Sequence, residues 1–240
     1  WGAAPAPRIA PGHNPPERMP PGTTTPAAGG TGAMPLRPLP LRPLPLRRPL
    51  LLAIGSSTGG PQALFTLALG LGRDLAVPIV LTQHMPPAFT AILAEHITRV
   101  GGPPCAEARD GELLRPGAIH LAPGDRHLLI HHEAGAFRAR LSLDAPENYC
   151  RPAVDPMLRT ATRAADGRIL VVMLTGMGHD GLDGTRSVID GGGAALAQDE
   201  ATSVVWGMPG AIARAGLCHA VLPLDQLAPH IRQILRGGVA

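Results

Sequence analysis

Five short runs of this chain are apolar at successive positions rather than at alternate ones. They are LLAIG (51–55), PIVLTQ (78–83), AIHLA (118–122), ILVVMLT (169–175) and AALAQ (194–198). A strand with one wet face alternates polar and apolar residues, whereas a continuous run suits a strand covered on both faces, as in parallel sheets. Parallel strands need long crossovers, and helical stretches at 61–70, 88–100, 155–165, 181–190, 209–215 and 225–236 can supply them. The pattern predicts an α/β fold: a doubly wound, mostly parallel sheet with helices on both faces. HLLIHH (127–132) and FRARL (137–141), separated by EAGA, predict a small β-hairpin in addition. Aromatic residues make up only 2% of the chain, so its core must come from Ala, Val, Ile and Leu. That suits stacked α/β layers better than an aromatic-rich sandwich.

The first 49 residues are of another kind. They hold 14 of the 28 prolines and contain the repeat RPLPLRPLPLRR (37–48). Proline at this density removes backbone donors and blocks helix and sheet alike. Residues 1–49 therefore read as a Pro/Arg-rich disordered or polyproline II linker or tail, and residues 50–240 as the main folded domain. A PxxP ligand for a partner domain is the functional alternative for this stretch. The net charge of +3 is misleading, because residues 1–49 carry six arginines against Glu17 alone. Residues 50–240 are slightly acidic, which gives no electrostatic case for nucleic acid. Cys105, Cys150 and Cys218 lie far apart without a C-x-x-C spacing, so neither a disulfide framework nor a zinc site is expected. No run of about 18 apolar residues predicts a membrane span. The N-terminus has no apolar core of a signal peptide, and it begins with Trp1, as a fragment or processed form would.

In doubly wound sheets the reactive crevice lies beyond the carboxyl ends of the strands. Three residues that follow predicted strands could carry chemistry there. Ser57 is the centre of Gly55-Ser56-Ser57-Thr58-Gly59, which fits G-x-S-x-G, a turn that projects a nucleophilic hydroxyl above a sheet. Pro61 suits the first turn of the following helix, whose free N–H groups favour negative charge nearby. The bland alternative is a serine-glycine turn that only caps this helix. A phosphate-binding P-loop is excluded, since the chain has no lysine, and Ser57 replaces the second glycine of a G-x-G-x-x-G fingerprint. His84 ends PIVLTQH ahead of a loop stiffened by Pro86 and Pro87, where it could take a proton from Ser57. Asp180, in LTGMGHDG (174–181), could orient His84 and stabilise its charged form. A helix cap or an Asp-Gly turn are its alternatives, with Asp183 and Asp199 as rival acids and His179 as a rival base. The chain order Ser, His, Asp differs from the Ser, Asp, His of α/β-hydrolases, which argues for another hydrolase fold.

AIGSSTGGPQAL (53–64), TQHMPPAFT (82–90), LAPGDRHL (121–128), RPAVD (151–155), LTGMGHDG (174–181) and QDEATSVVWGMPGAI (198–212) together closely resemble the chemotaxis protein-glutamate methylesterase family, CheB, in its catalytic domain. The resemblance covers about residues 50–236. It implies a serine hydrolase that removes methyl esters from glutamates of chemoreceptors and often deamidates receptor glutamines. It implies Ser57 as nucleophile, His84 as base and Asp180 as acid, with the Met177 backbone in the oxyanion hole and Thr58 beside the nucleophile. It further implies no metal or organic cofactor, methylated cytoplasmic receptor helices as partner, and a cytoplasmic location. The family usually carries a receiver domain ahead of this region, where only the Pro-rich, linker-like stretch stands here; either the receiver was cut off or this is a free-standing esterase, so phospho-activation is not implied. His179 stands where Asn is common, and Tyr149-Cys150 precede RPAVD where more polar residues are expected. A catalytically silent interaction module and an esterase for an unrelated small ester are the rival functions.

Overall fold

A computed structural model of the chain describes Gly2 and residues 39–45 and 47–237. Seven parallel strands form one sheet in the order β3-β4-β2-β1-β7-β8-β9. They are β1 (Leu51–Ser56), β2 (Ile79–Gln83), β3 (Cys105–Glu107), β4 (Ile119–Leu121), β7 (Ile169–Met173), β8 (Ala194–Gln198) and β9 (Ala220–Leu222). β5 (His127–Glu133) and β6 (Ala136–Ser142) make a separate antiparallel hairpin. The helices are α1 (Gly60–Leu71), α2 (Pro87–Arg99), α3 (Val154–Ala164), α4 (Leu182–Asp190), α5 (Met208–Arg214) and α6 (Leu224–Leu235).

The continuous apolar runs are explained by two cores, one on each face of the sheet. Leu52, Ile54, Ile79, Leu81, Leu170, Val172 and Leu196 point to one face and pack under α1, α2 and α6. Leu51, Ala53, Val80, Ile169, Val171, Met173 and Ala195 point to the other, under α3, α4 and α5. Successive side chains thus face opposite layers, and both layers are dry. Each such Leu, Ile or Val contributes about 1.5–3 kcal/mol on burial, which strongly fixes the strand register.

The predicted strands and hairpin are all present, with two additions. β3 and β9 are the edge strands, each three residues long, and none of their residues is fully buried. An edge strand pairs on one side only, so three residues suffice and leave little trace in the sequence.

The compact unit containing the sheet runs from Pro38 to Ala240. Of the proline-rich stretch, residues 1, 3–38 and 46 lie outside the described residues, and the PxxP reading falls mostly there. Leu39 and Leu44 pack against the two cores, and the Arg42 N–H donates to Cys218 O at 2.9 Å.

The order of strands sets the position of the crevice. From β1 the chain moves outward through β2 to β4 and β3, then returns by α3 to β7 on the other side of β1. The loops after β1 and β7 therefore diverge at a topological switch point, where doubly wound sheets bind ligands. β1, β2 and β7 are the three central neighbours, and Ser57, His84 and Asp180 all follow their carboxyl ends.

Candidate active site

Ser57 is held by its backbone while its hydroxyl is left out of the local network. Its N–H donates to Thr175 O at 3.0 Å, which extends the β1–β7 pairing past the strand. On the other side the His84 N–H donates to Ser56 O at 3.1 Å, extending the β1–β2 pairing. Ser57 thus sits between the loop bearing His84 and the loop leading to Asp180. Its Oγ takes no hydrogen bond among the described residues. Ser56, by contrast, is fully buried at the end of β1 and donates through Oγ to Gln83 Oε1 at 2.7 Å. Gln83 then donates from Nε2 to both Ser57 O and His84 O at 3.0 Å. One buried amide therefore pins the turn of the serine to that of the histidine. Room for it comes from Gly60, because a Cβ there would stand 1.9 Å from Gln83 Oε1. Gly176 similarly lets the β7 loop press on Ser57, since a Cβ would lie 2.9 Å from that of Ser57.

His84 and Asp180 form a direct pair, with Nε2 2.7 Å from Oδ2 and both side chains largely buried. Asp180 does not cap α4, whose N-cap is Gly181 without a side-chain bond. Its carboxylate faces the start of α3 instead, accepting from Val154 N–H at 2.6 Å and Asp155 N–H at 3.2 Å. The fourth donor is Asn148, whose Nδ2 lies 2.9 Å from Asp180 Oδ1 and 2.9 Å from Asp155 Oδ2. Burial opposes the charge on Asp180, but His84 and these backbone donors hold its carboxyl below the ordinary value. The neighbouring Asp155 is pushed the other way, by burial first and then by the Asp180 charge. Of the two carboxyls, Asp180 is held the more acidic. Burial also opposes protonation of His84, yet hydrogen bonds to Asp180 and Cys150 outweigh it and push its pKa up to about 9.

The remaining candidates occupy the rim. Met177 and Thr58 are exposed, and among the described residues neither backbone N–H is bonded. Thr58 follows Ser57 and Met177 follows Gly176, which packs on Ser57; unpaired N–H donors of this kind are what an oxyanion would require. His179 is exposed, and its imidazole is not bonded to Asp180. Asp199 is occupied in a turn with Thr202, and Asp183 lies in the first turn of α4. Among the described residues no group of three or more His, Cys, Asp and Glu side chains is arranged to hold a metal ion. Gln83 and Asn148 were not singled out in the sequence. The signal for Gln83 was a polar pair, Thr82-Gln83, ending an apolar run; Asn148 gave none.

Fold and site together define a doubly wound α/β protein in which a serine turn and a buried histidine–carboxylate pair meet at the switch point. The chain belongs to the CheB methylesterase family, whose model matches residues 52–231. It is 55% identical over 204 residues to the protein-glutamate methylesterase/protein-glutamine glutaminase of group 2 operon of Rhodospirillum centenum, covering 85% of this chain and 50% of that protein. The protein-glutamate methylesterase/protein-glutamine glutaminase of Azospirillum brasilense is 57% identical over 187 residues, 78% of this chain and 48% of its own length. The chain thus spans about half the length of the curated relatives it matches. The crystal structure of the Thermotoga maritima CheB methylesterase catalytic domain matches with a TM-score of 0.75 at 36% identity, covering 79% of this chain and 99% of that one.

Proposed function

We propose that this chain carries the catalytic machinery of a protein-glutamate methylesterase that also deamidates glutamine, acting on methylated cytoplasmic helices of chemoreceptors. The observation that carries the reading is the His84–Asp180 pair at 2.7 Å beside a serine whose hydroxyl is uncommitted. Family membership and the names of the relatives supply the substrate class.

In the proposed mechanism Ser57 Oγ attacks the side-chain carbonyl of the methylated glutamate. The Asp180 contact takes His84 Nε2, so the proton of Ser57 passes to Nδ1. Asp180 stabilises the imidazolium without becoming protonated itself. The N–H groups of Thr58 and Met177, with the start of α1, stabilise the oxyanion. His84 then protonates the departing methanol, or ammonia when the substrate is glutamine. Water activated by the same nitrogen releases the glutamate. These steps draw on no metal or organic cofactor. Receptor helices facing the cytoplasm would place the enzyme in that compartment; no helix among the described residues is long and apolar enough to cross a membrane.

The test is methanol release from methylated receptor membranes by the wild type and Ser57→Ala. The variant is expected to fold and to release methanol no faster than background. Turnover by Ser57→Ala at the wild-type rate would remove Ser57 from the mechanism. Rapid hydrolysis of small esters with none of the receptor would overturn the substrate class.

A further inference from the structure

His84 has two ring nitrogens, and Nε2 is committed to Asp180. The other, Nδ1, is not free: Cys150 Sγ lies 3.5 Å away, within reach of a sulfur hydrogen bond. A thiol on a histidine that is oriented by a carboxylate is the arrangement that activates a cysteine nucleophile. The turn that carries it is held in place rather than drifting there. Glu147 and Cys150 exchange both backbone hydrogen bonds, and Glu147 Oε1 is anchored by Arg159 of α3 at 2.5 Å. Asn148 and Tyr149 adopt positive φ of 50° and 63°, and the amide of Asn148 ties the turn to Asp180. Tyr149 is fully exposed, so the turn lies at the surface and Cys150 itself is only partly covered. The other two thiols differ sharply. Burial pushes Cys105 and Cys218 up to about 12, far from thiolate at neutral pH, and neither thiol meets a base among the described residues.

The geometry points to Cys150 as a second nucleophile on the His84–Asp180 pair, a site of reversible modification by low-molecular-weight disulfides that turns ester hydrolysis off. In that step the neutral form of His84 takes the thiol proton on Nδ1, and the Cys150 thiolate attacks one sulfur of R–S–S–R. A Cys150–S–S–R bond forms and the R–S–S–R bond breaks. Cys150 is oxidised, while the leaving half is reduced and departs as a thiolate; the proton held on His84 passes to solvent. An added group at this position occupies the space in front of Nδ1, the nitrogen that Ser57 needs. Excess dithiol reverses the exchange.

Activity loss in this proposal rests on the esterase reading above; the thiol chemistry does not. The probe is 5,5′-dithiobis(2-nitrobenzoate), whose released thiolate is coloured, added to the folded full chain. Wild type is expected to release one equivalent rapidly and the remaining two only on denaturation. Cys150→Ser should lack the rapid phase, with Cys150→Ala as a second check if the serine variant folds poorly. Ser57→Ala should keep it. His84→Gln should slow it by about tenfold or more, because the base is gone. Methanol release by wild type should fall in step with the rapid phase and return with dithiothreitol. In Cys150→Ser the ratio of treated to untreated turnover should stay near one. A rapid phase that survives in Cys150→Ser, or is indifferent to His84→Gln, overturns the proposal, as does full labelling without loss of turnover. If wild type releases no methanol at all, the esterase reading fails, while the labelling rates still decide the role of Cys150 and His84.

Discussion

A histidine held as a cation in the resting protein has to lose that proton before it can act as a base. With its pKa pushed up to about 9, His84 is mostly protonated at neutral pH. Values of kcat/KM, which report the free enzyme, are therefore expected to rise with pH through the neutral range and level off near 9. Asp180→Asn removes the charge that favours the imidazolium and should move this inflection downward. It should also lower kcat by about 10³–10⁴-fold, since the amide presents the wrong partner to Nε2. A pH–rate profile of both proteins checks the two effects separately, and an inflection that stays near 9 in Asp180→Asn would show that another group sets it. The same pair leaves a mark on stability. The raised pKa of His84 means that its contribution is complete below its ordinary value of 6.5 and is lost as pH rises through about 9. The lowered pKa of Asp180 means that its contribution is present above the ordinary 3.8 and is lost as pH falls below it. Thermal unfolding of wild type and His84→Gln should accordingly converge as pH climbs from 6.5 past 9. A gap between the two that is constant over that range would place the stabilisation elsewhere.

At the scale of elements, the start of α1 and the end of β2 share one space. Ala at position 60 is by propensity the better helix residue, favoured by about 1 kcal/mol over Gly. Here its Cβ would meet Gln83 Oε1 and drive away the amide that bonds Ser57 O and His84 O. Gly60→Ala is therefore expected to destabilise by about 1–3 kcal/mol, the cost of overpacking, and to lower kcat while the fold is kept. Urea unfolding of Gly60→Ala, Gln83→Ala and the double variant checks this. Because the steric conflict needs both side chains, the double variant should be more stable than the sum of the single effects predicts; simple additivity would count against it. The same elements show what the sequence could and could not reveal. Ser57, His84 and Asp180 were legible because a doubly wound sheet gathers whatever follows its central strands, and strand ends can be read from apolar runs. The clamp was not. Gln83 works by bonding a turn 26 residues away, and Asn148 by bridging Asp155 and an aspartate 32 residues downstream. Such contacts depend on the register between segments, which local patterns do not encode. The two edge strands were missed for the related reason that pairing on one side needs too few residues to leave a pattern.

The whole molecule has two ends with different work. The candidate site lies beyond the carboxyl ends of the strands, whereas the chain enters β1 from the opposite end. There the final part of the proline-rich stretch is fastened by its arginines: Arg42 Nε to Gly216 O at 2.8 Å, Arg48 Nε to Leu235 O at 2.7 Å and Arg47 to Asp166 at 2.7 Å. Polyproline segments have no hydrogen bonds of their own, so guanidinium groups reaching backbone carbonyls are a natural way to hold one down. Leu39 and Leu44 add apolar contact to the two cores. The Arg47–Asp166 pair is exposed and screened, so the carbonyl contacts and the leucines should dominate. A chain beginning at Leu50 is therefore expected to be less stable than one beginning at Pro38 by about 1–3 kcal/mol. A strand of five residues spans about 17 Å, so this loss occurs far from Ser57. The shorter chain, assayed below its melting range, should consequently keep a kcat close to that of the longer one. Urea unfolding and methanol release measured on both chains separate the two quantities. Equal stability would mean that the arginine contacts contribute nothing in solution. A large fall in kcat at unchanged KM would mean that the anchored segment acts through the sheet on the site, and that its task is more than holding the end of the domain closed.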